Sequence, residues 1–340
     1  MKVLGIETSC DETATAVVED GCRILSSMVF SQTGLHAKYS GVVPEISARA
    51  HLETVNTLID QALSAAGLAA QDIDGLAVTN RPGLIGSLII GVSTAKVLSW
   101  VLAKPLTAVN HVIAHLYASC LTGDAPEFPF AGLVVSGGHT LLLRVDSWDD
   151  VKVMGTTIDD AAGEAFDKVA KLLDLGYPGG PVIDRLAEDG DPLSVELPEI
   201  NMYNKKRNNY NFSYSGLKTA VLYRLKKEPA VRKEDMCASF RKAAIDILVK
   251  KAFRFCGDER LGRIVIGGGV AANSYLRKRF GEESAKKGVR VHCPPKELCM
   301  DNAAMIAGLG FHRLSAGLTE SFELNAYADN NLAFAKGAKG

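Results

Sequence analysis

Val3-Leu4-Gly5-Ile6-Glu7-Thr8-Ser9-Cys10-Asp11-Glu12-Thr13-Ala14-Thr15-Ala16-Val17-Val18-Glu19 holds two β-prone runs, Val3–Thr8 and Ala14–Glu19, joined by five polar residues that read as a hairpin turn. The pattern returns at Leu133–Ser136 and Thr140–Val145, now joined across Gly137-Gly138-His139. Helical periodicity follows the first hairpin at Pro44–Ala66, Gly83–Leu102 and Val112–Leu121, with a short strand at Gly75–Thr79 between. After the second come helices at Gly163–Leu173, Ser215–Lys227, Arg232–Phe255, Asn273–Lys287 and Asn302–Ala316, with strands at Arg263–Ile266 and Val289–Cys293. A hairpin followed by α/β alternation, twice over, predicts a duplicated α/β unit and two similar lobes facing each other across a cleft. Gly176-Tyr177-Pro178-Gly179-Gly180-Pro181 reads as a loop too rich in Gly and Pro for any regular element, and beyond about Thr319 no periodicity remains, which predicts a loosely ordered tail.

A chain of 340 residues exceeds one simple core, and its balance of apolar and charged side chains is that of a soluble globular protein. The formal net charge of −1 gives no global attraction to nucleic acid or to an anionic membrane, so any basic face must be local. Seven scattered cysteines (Cys10, Cys22, Cys120, Cys237, Cys256, Cys293, Cys299), none in a Cys-x-x-Cys pair, fit neither a disulfide framework nor a zinc ribbon and point to a reducing compartment. Glu7 comes too early for a signal peptide. The apolar stretch Leu84–Leu102, interrupted by Gly86, Gly91 and Lys96, reads as a buried helix and not as a membrane span. A soluble, cytoplasmic protein with no membrane partner is expected.

Charge balance fails in one region. Asn201–Arg254 carries fourteen Lys/Arg against four Asp/Glu, interleaved with Tyr203, Tyr210, Phe212, Tyr214 and Tyr223. Two readings stand: an RNA-binding face with cations on phosphates and rings on bases, or a solvated helix pair with ordinary core aromatics.

Chemistry concentrates in three patterns. His111 and His115, four residues apart, share one helix face and could reach a single metal ion. Val112 stands where a His-Glu-x-x-His protease needs its glutamate base, which disfavours that class. Ser136-Gly137-Gly138-His139-Thr140, Gly179-Gly180-Pro181 and Gly267-Gly268-Gly269-Val270-Ala271-Ala272-Asn273 are glycine turns that could bring backbone N–H groups to phosphate or ribose, though none is a P-loop. Carboxylates flank them: Glu7, Asp11, Asp159, Asp160, Glu164, Asp167 and Asp301. Asp159 and Glu164 suit helix starts equally well. Asp301 would complete a His/His/carboxylate set if folding brought it to the histidines.

Taken in order, these motifs resemble the TsaD family, once described as O-sialoglycoprotein endopeptidases. The resemblance runs from Met1 to about Leu318 and includes Gly5–Thr13, Gly41-Val42-Val43-Pro44-Glu45, His111 with His115, Val135–Thr140, Asp159–Lys168, Tyr177–Gly180, Phe212–Lys218, Gly267–Asn273 and Asp301-Asn302-Ala303-Ala304-Met305. It implies an actin-like ATPase (ASKHA) fold of two duplicated lobes, divided as 1–110 and 111–318, with a helical insertion around 163–255 in the second and a tail at 319–340. It further implies one divalent metal, iron or zinc, on His111, His115 and Asp301, and an adenine nucleotide held in the cleft by Val134, Val135, Ser136, Gly137, Gly138, Asp167, Gly180, Asp184 and Asn273. The implied reaction is threonylcarbamoyl transfer from threonylcarbamoyl-AMP to N6 of the adenosine 3′ of the anticodon, in tRNAs reading codons that begin with A. Asp11 and Glu12 are the candidate acid/base residues, because an aryl amine must lose a proton as it attacks. The implied bacterial partners are tRNA, TsaB as a heterodimer, TsaE, and TsaC as supplier of the adenylate.

Two positions depart from the pattern common among bacterial members: Asn80-Arg81 precedes Pro82-Gly83-Leu84 where Ala-Gly is usual, and Met300 precedes Asp301 where Thr is usual. The competing readings are a small-molecule carbamoyltransferase of the same fold and a noncatalytic ATP-binding scaffold. Presence of all three candidate metal ligands, His111, His115 and Asp301, argues against the scaffold.

Overall fold

The structure, a computed structural model, describes residues 1–39, 41–198 and 209–329. Its first elements are β1 (Lys2–Glu7), β2 (Glu12–Glu19), β3 (Arg23–Ser31), α1 (Thr33–His36), α2 (Pro44–Ala65), β4 (Gly75–Arg81), α3 (Ile85–Leu102), β5 (Leu106–Asn110) and α4 (His111–Tyr117). Then come β6 (Phe130–Val135), β7 (Thr140–Ser147), β8 (Asp150–Thr156), α5 (Ala162–Leu172), α6 (Gly179–Leu186), α7 (Ser215–Lys227) and α8 (Lys233–Glu259). The chain closes with β9 (Arg263–Gly267), α9 (Ser274–Lys287), β10 (Arg290–His292) and α10 (Ala303–Ser315).

Both predicted hairpins form, and each gains a third, outer strand. One sheet has the order β3-β2-β1-β4-β5 and the other β10-β9-β6-β7-β8. In each the three strands nearest in sequence pair antiparallel and the two that follow add in parallel: β1 pairs β2 antiparallel and β4 parallel, as β6 pairs β7 and β9. Identical order and sense in the two sheets establish the duplication. The outer strands β3 and β8 are largely exposed, so burial imposes no clean apolar alternation on their sequence.

The chain divides into one compact unit of residues 1–125 with 300–340 and a second of 126–299. This displaces the expected boundary at 110. The reason is local: α4 continues directly from β5 and packs, as β1, β2, β4 and β5 do, against the returning helix α10.

In the first unit, alternate residues of the strands face opposite sides. Leu4, Ile6, Leu76 and Val78 join Val55, Ile59 and Val92 of α2 and α3 in one core. Gly5 and Ala77 face α10: a Cβ on Gly5 would lie 2.4 Å from the Ala303 carbonyl, and one on Gly310 2.3 Å from Ala77 Cβ. That contact leaves no room for a side chain.

Two expectations in this unit change. Helix α3 meets the length and hydropathy of a membrane span, but only one face is buried, and Ile85, Ile89, Val97, Trp100 and Val101 lie exposed on it. The tail is not loose over 319–329: Glu320 N donates to the Leu106 carbonyl (2.7 Å), Lys96 Nζ to that of Leu324 (3.1 Å) and Tyr327 N to that of Asn80 (2.9 Å), and Leu324 is buried. Residues 330–340 lie outside the described residues.

In the second unit, Gly179, Gly180 and Pro181 open α6 instead of forming a loop. Proline is tolerated in a first helical turn because the N–H it lacks would have had no intrahelical partner. The aromatic residues of the basic region also resolve toward core. Tyr210, Phe212 and Tyr214 are fully buried because residues 209–214 run along the end of β8, with Phe212 N donating to the Thr156 carbonyl (2.9 Å) and Ile158 N to that of Phe212 (3.0 Å). Among the described aromatic residues of this region Tyr223, on α7, is the exposed one, at 66%. Tyr203 and the rest of 199–208 lie outside the described residues.

Candidate metal centre and nucleotide-binding turns

The first unit brings His111, His115 and Asp301 together although 190 positions separate the outer two by sequence number. One donor atom from each lies within 4.8 Å of the others. The Asn110 carboxamide caps α4, accepting from Val112 N (2.9 Å) and Ile113 N (3.3 Å), so the helix begins with His111 and presents His115 one turn on. Asn302 likewise caps α10 by accepting from Met305 N (3.0 Å), which fixes Asp301 just ahead of that helix.

The protonation pattern suits a cation. His111 Nδ1 donates to Glu7 Oε2 (3.0 Å), and Ser9 Oγ lies 3.2 Å from the same nitrogen. Glu7 itself accepts from Thr79 Oγ1 (2.6 Å) and Ser9 N (2.6 Å). With Nδ1 committed, the Nε2 lone pair of His111 is left for a metal, facing Asp301 Oδ1 at 3.6 Å. His115 Nε2 lies 3.2 Å from the same oxygen without hydrogen-bond geometry, and neither ring nitrogen of this buried residue has a hydrogen-bond partner. A buried imidazole with an orphaned nitrogen beside a carboxylate fits a bound cation. Two imidazoles and one carboxylate suit iron(II) or zinc.

Electrostatics agree. Burial opposes charge on His111, yet Asp301 and Glu7 outweigh it and pull the imidazole up to about 9. Burial raises Glu7, but His111 and Thr79 bring its carboxyl below the usual range. The site attracts positive charge. Glu7 belongs to no ligand pattern; its signal in the sequence is an acidic residue ending an otherwise apolar strand.

Asp11 and Glu12 stand at the start of β2 in the same unit. Burial, then the charges of Asp301 and Asp11, push the Glu12 carboxyl up to about 9, while Ser31 Oγ donates to it at 3.3 Å.

The residues expected at the nucleotide form one hydrogen-bonded cluster in the second unit. Val134 and Val135 end β6, and the Ser136-Gly137-Gly138 turn meets the start of α5, where Gly163 N donates to the Ser136 carbonyl (3.1 Å). Asp167 Oδ1 accepts from Gly179 N (2.7 Å), tying α5 to α6. Asp184 accepts from Asn273 Nδ2 (2.9 Å) and Ser274 N (2.9 Å), tying α6 to α9, and Arg241 holds it in turn (2.8 Å). Gly268, at φ +93°, closes the set against the Val135 carbonyl. Side chains added at Gly137, Gly138 or Gly180 would meet nothing, so three helix starts surround open backbone of the kind that receives phosphate. Asp159 belongs elsewhere: it accepts from Tyr214 N (2.7 Å) and Ser215 Oγ (2.8 Å) at the start of α7, and not at the start of α5, the helix that follows it in sequence.

Residues 23–308 match the family model TsaD, described as tRNA N6-adenosine threonylcarbamoyltransferase. The chain belongs to the TsaD family. Relatives bearing that description in Treponema denticola and Kosmotoga olearia are each 50% identical, over 96% of this chain and 97% of their own length. In function it is therefore a transferase that modifies tRNA at adenosine N6. Among solved structures, HypF of T. kodakarensis aligns with a TM-score of 0.63 at 15% identity, over 93% of this chain and 48% of HypF. Component A of the Acidaminococcus fermentans (R)-2-hydroxyglutaryl-CoA dehydratase aligns at 0.55 and 15%, over 93% of this chain and 99% of its own. At such identity the likeness concerns the fold alone, which is the actin-like ATPase fold of this TsaD-family chain.

Proposed function

We propose that the protein transfers the threonylcarbamoyl group of threonylcarbamoyl-AMP to N6 of the adenosine 3′ of the anticodon, in tRNAs reading codons that begin with A. The His111/His115/Asp301 constellation with its Glu7-locked tautomer carries this reading. In the step, N6 attacks the carbamoyl carbonyl, a C–N bond forms, the bond to the phosphate oxygen breaks, and AMP departs with that electron pair. A metal on the three ligands, iron or zinc, supplies Lewis-acid polarisation of carbonyl or phosphate oxygens. Backbone N–H groups at Gly137, Gly138 and Gly180 hold the nucleotide, braced by Asp167, Asp184 and Asn273. Asp11 and Glu12 are the acid/base pair, one of which accepts the N6 proton as the amine attacks.

The exposed apolar face of α3 supports TsaB as heterodimer partner, with TsaE joining and TsaC supplying the adenylate. The basic surface of α7 around exposed Tyr223, Lys226 and Lys227 supports contact with the tRNA. Seven free thiols support a cytoplasmic setting.

The test is to incubate unmodified tRNAs with the protein, TsaB, TsaE, threonylcarbamoyl-AMP and ATP, then locate the product by nuclease digestion and mass spectrometry. The expected result is modification of that one adenosine, confined to tRNAs reading codons that begin with A. Carbamoylation of a small molecule with tRNA untouched would replace the proposal by the small-molecule carbamoyltransferase.

A further inference from the structure

We propose that His51 is a positioning residue for the transfer: with Ser47 it fixes the Cys10 carbonyl, and so sets the direction in which Asp11 and Glu12 leave the β1–β2 loop. The inference rests on the reading of Asp11 and Glu12 as the acid/base residues.

Three consecutive carbonyls of that loop are each taken by a donor from a different element. The Ser9 carbonyl accepts from Leu84 N (2.8 Å), ahead of α3, and the Asp11 carbonyl from Gln32 N (2.9 Å), ahead of α1. The middle one, on Cys10, is held by side chains: His51 Nε2 at 3.0 Å and the Ser47 hydroxyl, one turn apart on α2.

The tautomer follows from the partners. A carbonyl only accepts, so Nε2 carries the proton, and Nδ1 then accepts from Thr13 Oγ1 at 2.7 Å. Thr13 follows Glu12 directly in β2. One neutral ring therefore grips the chain on both sides of Asp11-Glu12. His51 is fully buried, and burial holds its basicity below the usual histidine range, in keeping with the neutral form. Behind it Gln32 Nε2 lies 3.4 Å from both ring nitrogens, and Gln32 Oε1 accepts from His36 Nε2 (3.2 Å), so the ring has a packed polar wall.

Fixing the Cys10 carbonyl fixes the peptide plane before Asp11, and together with the plane after it, held by Gln32 N on the Asp11 carbonyl, sets the Cα–Cβ direction of Asp11. Displacing a reacting group by about 1 Å costs on the order of a hundredfold in rate. His51, fully buried, would act through the loop it holds and not by touching substrate.

The experiment compares His51→Leu, which removes both bonds, with His51→Gln, which restores a donor toward Cys10. It reads kcat, KM for threonylcarbamoyl-AMP, metal content and melting temperature, beside Asp11→Asn and Glu12→Gln. In His51→Leu, kcat is expected to fall roughly tenfold to a hundredfold with KM within about threefold and metal content unchanged. His51→Gln is expected to recover kcat to within about fivefold even though it melts no higher than His51→Leu. Equal losses in both variants, tracking melting temperature, would mean a purely structural histidine and overturn the proposal. Wild-type kcat in His51→Leu, with Asp11→Asn or Glu12→Gln inactive, would overturn it as well. Wild-type kcat in both carboxylate variants would instead remove the acid/base reading, and the proposal with it.

Discussion

His111 faces the proposed metal site with its Nδ1 proton already committed to Glu7, itself held by Thr79 and Ser9. Glu7→Gln keeps the volume but lets an amide N–H compete for that nitrogen, which frees the ring to take the other tautomer. Metal affinity is expected to fall roughly tenfold to a hundredfold, read by competition with a chromophoric chelator. Glu12 gives a second prediction, on the metal-free protein. Between its ordinary value of 4.5 and its folded value of about 9, the folded state keeps a proton that the unfolded chain has released. The folded state binds more protons there, so stability declines as pH rises through that window. Glu12→Gln removes this decline: its melting temperature is expected to match wild type near pH 4.5 and exceed it increasingly toward pH 9, by about 2–4 °C for each kcal/mol recovered. A constant difference across that range would contradict the assignment. Site legibility also divides at this scale. His111 and His115 were readable from helical spacing, and Asp301 from the motif order. His51 was not, since a lone histidine on an amphipathic helix carries no spacing signal.

The element scale explains the unusual Asn80-Arg81 pair. The Arg81 guanidinium lies 4.1 Å from the Tyr327 ring centroid and 3.5 Å from Asp329, while Asn80 Nδ2 donates to the Asn325 carbonyl (3.2 Å). Both residues tie the 319–329 segment to the end of β4, just before Gly83 packs on Ser9. Arg81→Gly is expected to cost about 1 kcal/mol and to speed proteolysis within 319–329. Unchanged cleavage there would mean the strap is held by Leu324 and the backbone bonds alone. On α3, Trp100→Glu is expected to abolish association with TsaB in gel filtration while shifting stability by no more than about 0.5 kcal/mol, because Trp100 is 72% exposed. The sequence could not announce that face: an apolar helix with small interruptions looks the same whether its second side meets a core or a partner.

For the whole molecule, duplication was legible because two hairpins with matching continuations repeat, and both sheets share one strand order and sense. The unit boundary was not. The assignment of α4 and α10 depends on a glycine-lined contact, at Gly5 and Gly310, between parts of the chain some 300 positions apart. The same return of the chain delivers Asp301 to the histidines, so the fold and the proposed metal centre stand on one feature. The most direct measurement is the initial rate of AMP release and threonylcarbamoyladenosine formation on unmodified tRNA, with TsaB and TsaE present, for wild-type protein, metal-stripped protein and Asp301→Ala. Wild type is expected to turn over, to lose at least about a hundredfold in rate on stripping and recover when iron or zinc is returned, and Asp301→Ala is expected to show the same loss without recovery. Wild-type rates from Asp301→Ala that stay the same after metal removal would contradict a metal-dependent transfer.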